Sequence, residues 1–179
     1  MKSNVLIFGS IIGIILVLQT IYMVHLIYSN PGFESSHILG YIFMIAVFSL
    51  AFFGIRNYRN KNLNGFISFG KAFKTGALIA FIGATYYTVF WLFYYYLYVP
   101  DFLDRYIEHV MLAAEQGGAT EAELAAKSEQ MDQFSDMYQG PFMVTFITYM
   151  EVLPVGLIVA FFSSLILKKK PEIESSIEN

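Results

Sequence analysis

The stretch from Phe142 to Leu167 reads FMVTFITYMEVLPVGLIVAFFSSLIL, and its only formally charged residue is Glu151. About 20 apolar residues in a helix cross a hydrocarbon core roughly 30 Å thick, so this run can span a bilayer. Moving outward along the chain, Val5–Tyr28, Ile38–Ile55 and Thr75–Val99 have the same character and carry no formal charge. The second of these is only just long enough. The reading is an all-α, integral membrane four-helix bundle forming one domain, with spans at about 5–28, 38–55, 75–99 and 142–167.

Composition agrees. Residues are 56% hydrophobic and 14% charged, against roughly 25% charged in soluble domains. The absence of cysteine excludes disulfides, thiolate metal sites and cysteine nucleophiles. The net charge of −3 says little, because the charges are segregated. Lys2 precedes the first span, Arg56, Arg59, Lys61, Lys71 and Lys74 lie between the second and third, and Lys168–Lys170 follow the fourth. Only Arg105 and Lys127 fall elsewhere. The positive-inside rule then puts both termini in the cytoplasm and the segment 100–140 outside. Tyr22, Tyr28, Tyr41, Trp91, Tyr94, Tyr95, Tyr96 and Tyr98 crowd towards the outer ends, where amphipathic rings favour the headgroup level. No small-x-small cleavage site follows Tyr28, so the first span is expected to be an uncleaved helix.

Between the third and fourth spans, Phe102, Leu103, Tyr106, Ile107, Val110, Met111, Ala113 and Ala114 recur at helical spacing. Gly117-Gly118 ends that helix, and Thr120 with Glu123 forms a capping-box pattern for a second one. An acidic helical hairpin on the outer face of the bundle is expected there. On the opposite side, the basic segment 56–74 contains NGFISFGKAFK (Asn64–Lys74). Its Phe66, Phe69 and Phe73 are spaced for a short interfacial helix with Lys71 and Lys74 near lipid headgroups. Residues 168–179 read as a cytoplasmic tail.

The GFISFGKAF-x-x-G stretch (Gly65 to Gly76) resembles a bacterial four-span family, the domain-of-unknown-function 4199 family. Further matching parts are the aromatic third span ending in Val99-Pro100-Asp101-Phe102, the Gly-Gly-Ala-Thr break in the acidic helices, and the closing Lys run. The resemblance covers about Asn4 to Lys170. It implies a bacterial inner-membrane protein and brings no activity, cofactor or catalytic residue with it.

Gly9-x-x-x-Gly13 in the first span and Gly76-x-x-x-Ala80-x-x-Gly83 in the third allow close backbone approach between helices. Contact within the chain and contact with another copy or another membrane protein are both open. Glu151 lies about 15 Å below the start of its helix at 1.5 Å per residue, near mid-bilayer. A charge there costs roughly 2.5–3.5 kcal/mol on insertion scales, so the carboxyl needs a partner or a proton. Candidate neutral partners at similar depth are Gln19, Thr20, Ser49, Thr85, Thr88 and Thr148, and Pro154 leaves the Met150 carbonyl without its helical donor. This polar layer either pins the helices together, or binds a proton, cation or polar substrate, or meets a basic residue of a partner subunit.

His25, His37 and His109 lack any standard ligand spacing, and no phosphate loop, nucleophile elbow or metalloprotease helix is present. The expectation is therefore no cofactor, no metal, no nucleic acid and no catalysis, with the lipid bilayer as surrounding partner. The leading functional reading is an accessory or structural subunit of a membrane assembly. The alternative is a transporter or ion-conducting component using Glu151.

Overall fold

The computed structural model describes residues 1–30 and 37–170. The expected loop after Ser29 and the tail beyond Lys170 lie largely outside the described residues. Seven helices form among those described: α1 (Lys2–Ser29), α2 (His37–Phe48), α3 (Leu50–Asn62), α4 (Phe69–Leu97), α5 (Phe102–Gln116), α6 (Glu121–Met137) and α7 (Gly140–Leu167). Four stretches are long and apolar enough to cross a membrane: Lys2–Ser29, Ile38–Asn62, Phe69–Leu97 and Gly140–Leu167. The protein is an all-α, multi-pass membrane protein.

The second span is one passage broken at Ser49. The Ser49 hydroxyl donates to the Ile45 carbonyl at 2.7 Å, and back-bonding of this kind bends helices. Within α2, Val47 and Phe48 next to the bend are buried in the bundle, whereas Ile38, Leu39 and Ile42 towards its start are exposed.

The short helix expected over 64–74 does not form as a separate element. Asn64 and Gly65 have φ of 51° and 86°, turning the chain, and Ile67 forms an antiparallel bridge with Lys169, each N–H donating to the other's carbonyl at 2.9 Å. Ser68 then caps α4, accepting from the Lys71 N–H at 3.4 Å. Phe69, Lys71, Phe73 and Lys74 therefore belong to the opening turns of α4. Arg59 and Lys61 fall in the last turn of α3, where cations suit the helix dipole. Arg59 also donates to the Leu167 carbonyl at 3.1 Å, satisfying a terminal acceptor of α7.

The inner part of the bundle is built on α4, which packs along both α1 and α7. Small residues set those seams. A Cβ added at Gly9 would lie 2.6 Å from the Ile82 Cβ, and one at Gly83 would lie 2.7 Å from the Ile12 Cγ2. A Cβ at Gly13 would meet Tyr86. On the other seam, a Cβ added at Gly76 would lie 2.9 Å from the Ala160 Cβ, and one at Gly156 would lie 2.8 Å from the Ala80 Cβ. Close approach multiplies dispersion contacts where lipid removes the hydrophobic drive between helices. All five small residues singled out in the sequence, Gly9, Gly13, Gly76, Ala80 and Gly83, face neighbours within the same chain.

Candidate functional site: a cleft beneath the helical hairpin

The hairpin of α5 and α6 covers one end of the bundle. Gly118, at φ 79°, makes the turn. Thr120 and Glu123 then form the reciprocal cap of α6: the Thr120 N–H donates to Glu123 Oε2 at 2.8 Å and the Thr120 Oγ1 accepts from the Glu123 N–H at 3.3 Å. The Thr120 N–H first, and its hydroxyl donating to the same oxygen at 2.9 Å second, hold the Glu123 carboxyl below its ordinary range. A positive φ of 77° at Gly140 and Pro141 in the first turn start α7.

Contacts with α1 and α4 fasten this hairpin down. Tyr28 of α1 donates its hydroxyl to Asp101 Oδ1 at 2.6 Å, and Arg105 Nε donates to Asp101 Oδ2 at 2.7 Å. The Arg105 guanidinium lies 4.6 Å from the Tyr28 ring centre. Together the Tyr28 hydroxyl and then Arg105 hold the Asp101 carboxyl below its usual range. His109 Nε2 sits 2.9 Å from the Ile27 carbonyl oxygen. From the α6 side, Trp91 Nε1 donates to the Tyr138 hydroxyl at 2.6 Å. Val24, Trp91, Tyr95, Val99, Leu103 and Val144 form the apolar cluster under these contacts.

Between the hairpin and the bundle lies a cleft of about 580 Å³. Its walls are Leu16, Gln19, Thr20, Met23, Val24 and Ile27 of α1, Gly40 and Met44 of α2, and Tyr87 and Trp91 of α4. Phe102, Leu103 and Tyr106 of α5 and Phe134 and Tyr138 beside α6 roof it, while Ile147, Thr148, Met150, Glu151 and Val152 of α7 complete it. Glu151 lines the cleft and is exposed rather than sealed in the core. The Tyr87 hydroxyl lies beside Thr20. Burial first, and the nearby Glu151 charge second, push the Tyr106 phenol up. Burial pushes Tyr138 up to about 12. The cleft thus combines one carboxyl, an amide, two threonine hydroxyls, phenols and an indole with apolar side chains.

The structure divides the polar residues expected to form one central layer. Glu151, Thr148, Gln19 and Thr20 meet at the cleft. Thr85 instead donates to the Phe81 carbonyl at 2.7 Å and accepts from the Tyr149 hydroxyl at 2.8 Å, linking α4 to α7. Ser49 is used at the α2–α3 bend. Thr88 is buried, and its hydroxyl oxygen has no hydrogen-bond partner among the described residues. Equal depth is not equal direction: each residue turns a helix by about 100°, so these side chains face different neighbours.

Sequence reasoning did not single out Tyr87, Trp91, Tyr106 and Tyr138 as site residues. Their signal was present, because a phenol or indole placed within an apolar stripe needs a polar partner when buried. Among the described residues, no three of His, Asp or Glu converge on a point. His25 lies 3.5 Å from Ser29 and His109 meets Ile27, in separate places.

A family model described as "Protein of unknown function (DUF4199)" matches residues 7–169, and the chain belongs to that family. No curated protein and no solved structure matches the chain significantly.

Proposed function

We propose that this member of the DUF4199 family is a non-enzymatic accessory subunit of a membrane assembly, and that the cleft around Glu151 engages the ligand or partner group it works with. By the positive-inside rule, we place the lysine-rich end and both termini in the cytoplasm and the hairpin outside a bacterial inner membrane. The observation that carries this reading is the cleft itself, a recess roofed by a fastened hairpin and bearing a carboxyl. Its lining supports binding over catalysis, because phenols, hydroxyls and an indole offer hydrogen bonds and ring faces rather than an activated nucleophile. The small-residue faces are consumed inside the chain, which directs a partner to the cleft mouth or the acidic hairpin.

A second reading, a transporter or ion-conducting component, is favoured by one observation: Glu151 is exposed to the cleft. Intramembrane carboxyls of that kind mark ion and substrate paths. Purification from native membranes in a mild detergent separates the two. A stoichiometric heterologous partner that is lost with Glu151→Gln supports the accessory role. A homo-oligomer in which Glu151 reacts with a water-soluble carbodiimide supports the transport role. A lone monomer, unchanged by Glu151→Gln, counts against both.

A further inference from the structure

We propose that the lysine-rich end of the bundle holds a phospholipid with a net negative headgroup, seated along the α4–α7 pair. The site lies at the end opposite the hairpin and uses neither the cleft nor Glu151.

Charge is sorted along the bundle. Among the described residues every Asp and Glu falls between Asp101 and Glu151. All Lys and Arg except Arg105 and Lys127 lie at the other end. The one ion pair among the described residues, Arg105–Asp101, uses none of them. An anion arriving at that end meets positive charge with no described carboxylate beside it.

Tertiary contacts gather these cations from segments far apart in the chain. Ile67 and Lys169 exchange backbone hydrogen bonds at 2.9 Å, and Arg59 Nη1 donates to the Leu167 carbonyl at 3.1 Å. Ile67 and Leu167 are buried with Ile55, Tyr58 and Ala72, so the junction is anchored. The Lys169 ammonium lies 5.7 Å from the Phe66 ring centre. The bridge sets the Lys168–Lys170 run beside the opening turns of α4, where Lys71 and Lys74 are exposed. Basic groups at the end of a span attract anionic headgroups, and their stems lie along apolar surface while the charge stays at the polar level.

Rings continue the site into the hydrocarbon. Phe69 and Phe73 of α4 stack at 6.0 Å, and both meet Phe161 of α7 edge-on, at 5.6 and 6.3 Å. Phe162 adjoins Phe161 at 5.6 Å, and both are exposed. Phe161 precedes Lys168 by two helical turns, about 10 Å along the axis, and two turns return a side chain to the same face. Cations at the helix ends with exposed rings below them match a charged headgroup and its acyl chains. A soluble phosphate or an acidic peptide would use the lysines and leave the rings without a partner. That selects lipid.

The full chain in detergent micelles is mixed with equal amounts of phosphatidylglycerol and phosphatidylcholine carrying the same acyl chains, and retained lipid is counted by native mass spectrometry. Glu172, Glu174 and Glu178 are present in this chain as competing charge. The expected result is one phosphatidylglycerol retained over phosphatidylcholine by at least about fivefold. Lys71→Gln with Lys168→Gln should bring the two lipids to near parity. Lys2→Gln with Lys127→Gln, which removes the same charge from α1 and α6, should keep the preference. Phe161→Ala with Phe162→Ala should lower retention of both lipids. Glycerol phosphate and hexaglutamate, each in excess, should displace neither lipid. No preference in the wild type, or equal loss in the two lysine pairs, overturns the site in favour of diffuse charge. Unchanged retention without the two rings, or displacement by glycerol phosphate or by hexaglutamate, overturns the lipid assignment in favour of a phosphate or acidic-peptide surface.

Discussion

Replacing Gly9 by alanine tests the packing on which the bundle depends. The new methyl would lie 2.6 Å from both the Cβ and the Cγ2 of Ile82 and 3.1 Å from the Ile79 carbonyl oxygen. Carbon atoms in contact normally sit about 3.5–4.0 Å apart, so roughly 1 Å must be found. The Ile82 Cβ is bonded directly to the backbone, and only a shift of α1 against α4 provides that space. Overpacking costs about 1–3 kcal/mol, and a clash with an anchored atom falls at the upper end. Alanine recovers about 1 kcal/mol over glycine in helix propensity, leaving a net loss of about 2 kcal/mol. For a chain of this size each kcal/mol moves Tm by about 2–4 °C, which gives a fall of about 4–8 °C. Gly70→Ala is the matched control, because it lies in the first turn of α4 with nothing within 4 Å of the added methyl. It should melt at or above the wild-type temperature. The assay is far-UV circular dichroism on heating in maltoside micelles. If Gly9→Ala melts with or above the wild type, α1 and α4 do not approach as described and the seam argument fails.

Two further outcomes follow from the hairpin. The Asp101 carboxyl is held below its usual range by Tyr28 and then Arg105, so its folded value lies under its unfolded one. The clasp is therefore fully present above the ordinary aspartate range and is lost as pH falls through the depressed value. Hydrogen exchange in the first turn of α5 should stay slow down into that range and quicken only below it, whereas Asp101→Asn should be fast throughout. Tyr138→Phe leaves the Trp91 N–H without its 2.6 Å acceptor, and stranding a buried donor costs about 1–3 kcal/mol. That variant should melt lower and shift the Trp91 emission, while wild-type emission should hold steady where free tyrosine ionises, near about pH 10, because burial takes Tyr138 up to about 12.

The hairpin shows how much of this site could be read in advance. Its break at Gly117-Gly118 and the Thr120–Glu123 cap are local events, governed by backbone conformation and by hydrogen bonds spanning three residues, and the structure has both. The clasp joins Tyr28 to Asp101, 73 positions apart. No spacing rule links two such residues. The stretch around Gly65 marks a similar boundary. Its phenylalanines have helical spacing, yet positive φ at Asn64 and Gly65 and the bridge to Lys169 turn half of it into an extended connection. The competing partner came from the far end of the chain.

By itself the sequence determined that four apolar stretches cross a membrane, because the cost of exposing backbone and charge to hydrocarbon acts on each segment separately. It also determined that one carboxyl, Glu151, lies far from either end of its span. Only the tertiary structure decided which way that carboxyl faces. The bend at Ser49, the hairpin fastened at Asp101 and the phase of each helix together put Glu151 with Gln19, Thr20 and four aromatic residues, and turn Ser49, Thr85 and Thr88 elsewhere. Depth in the bilayer is set along one helix. Direction is set by how helices pack against one another.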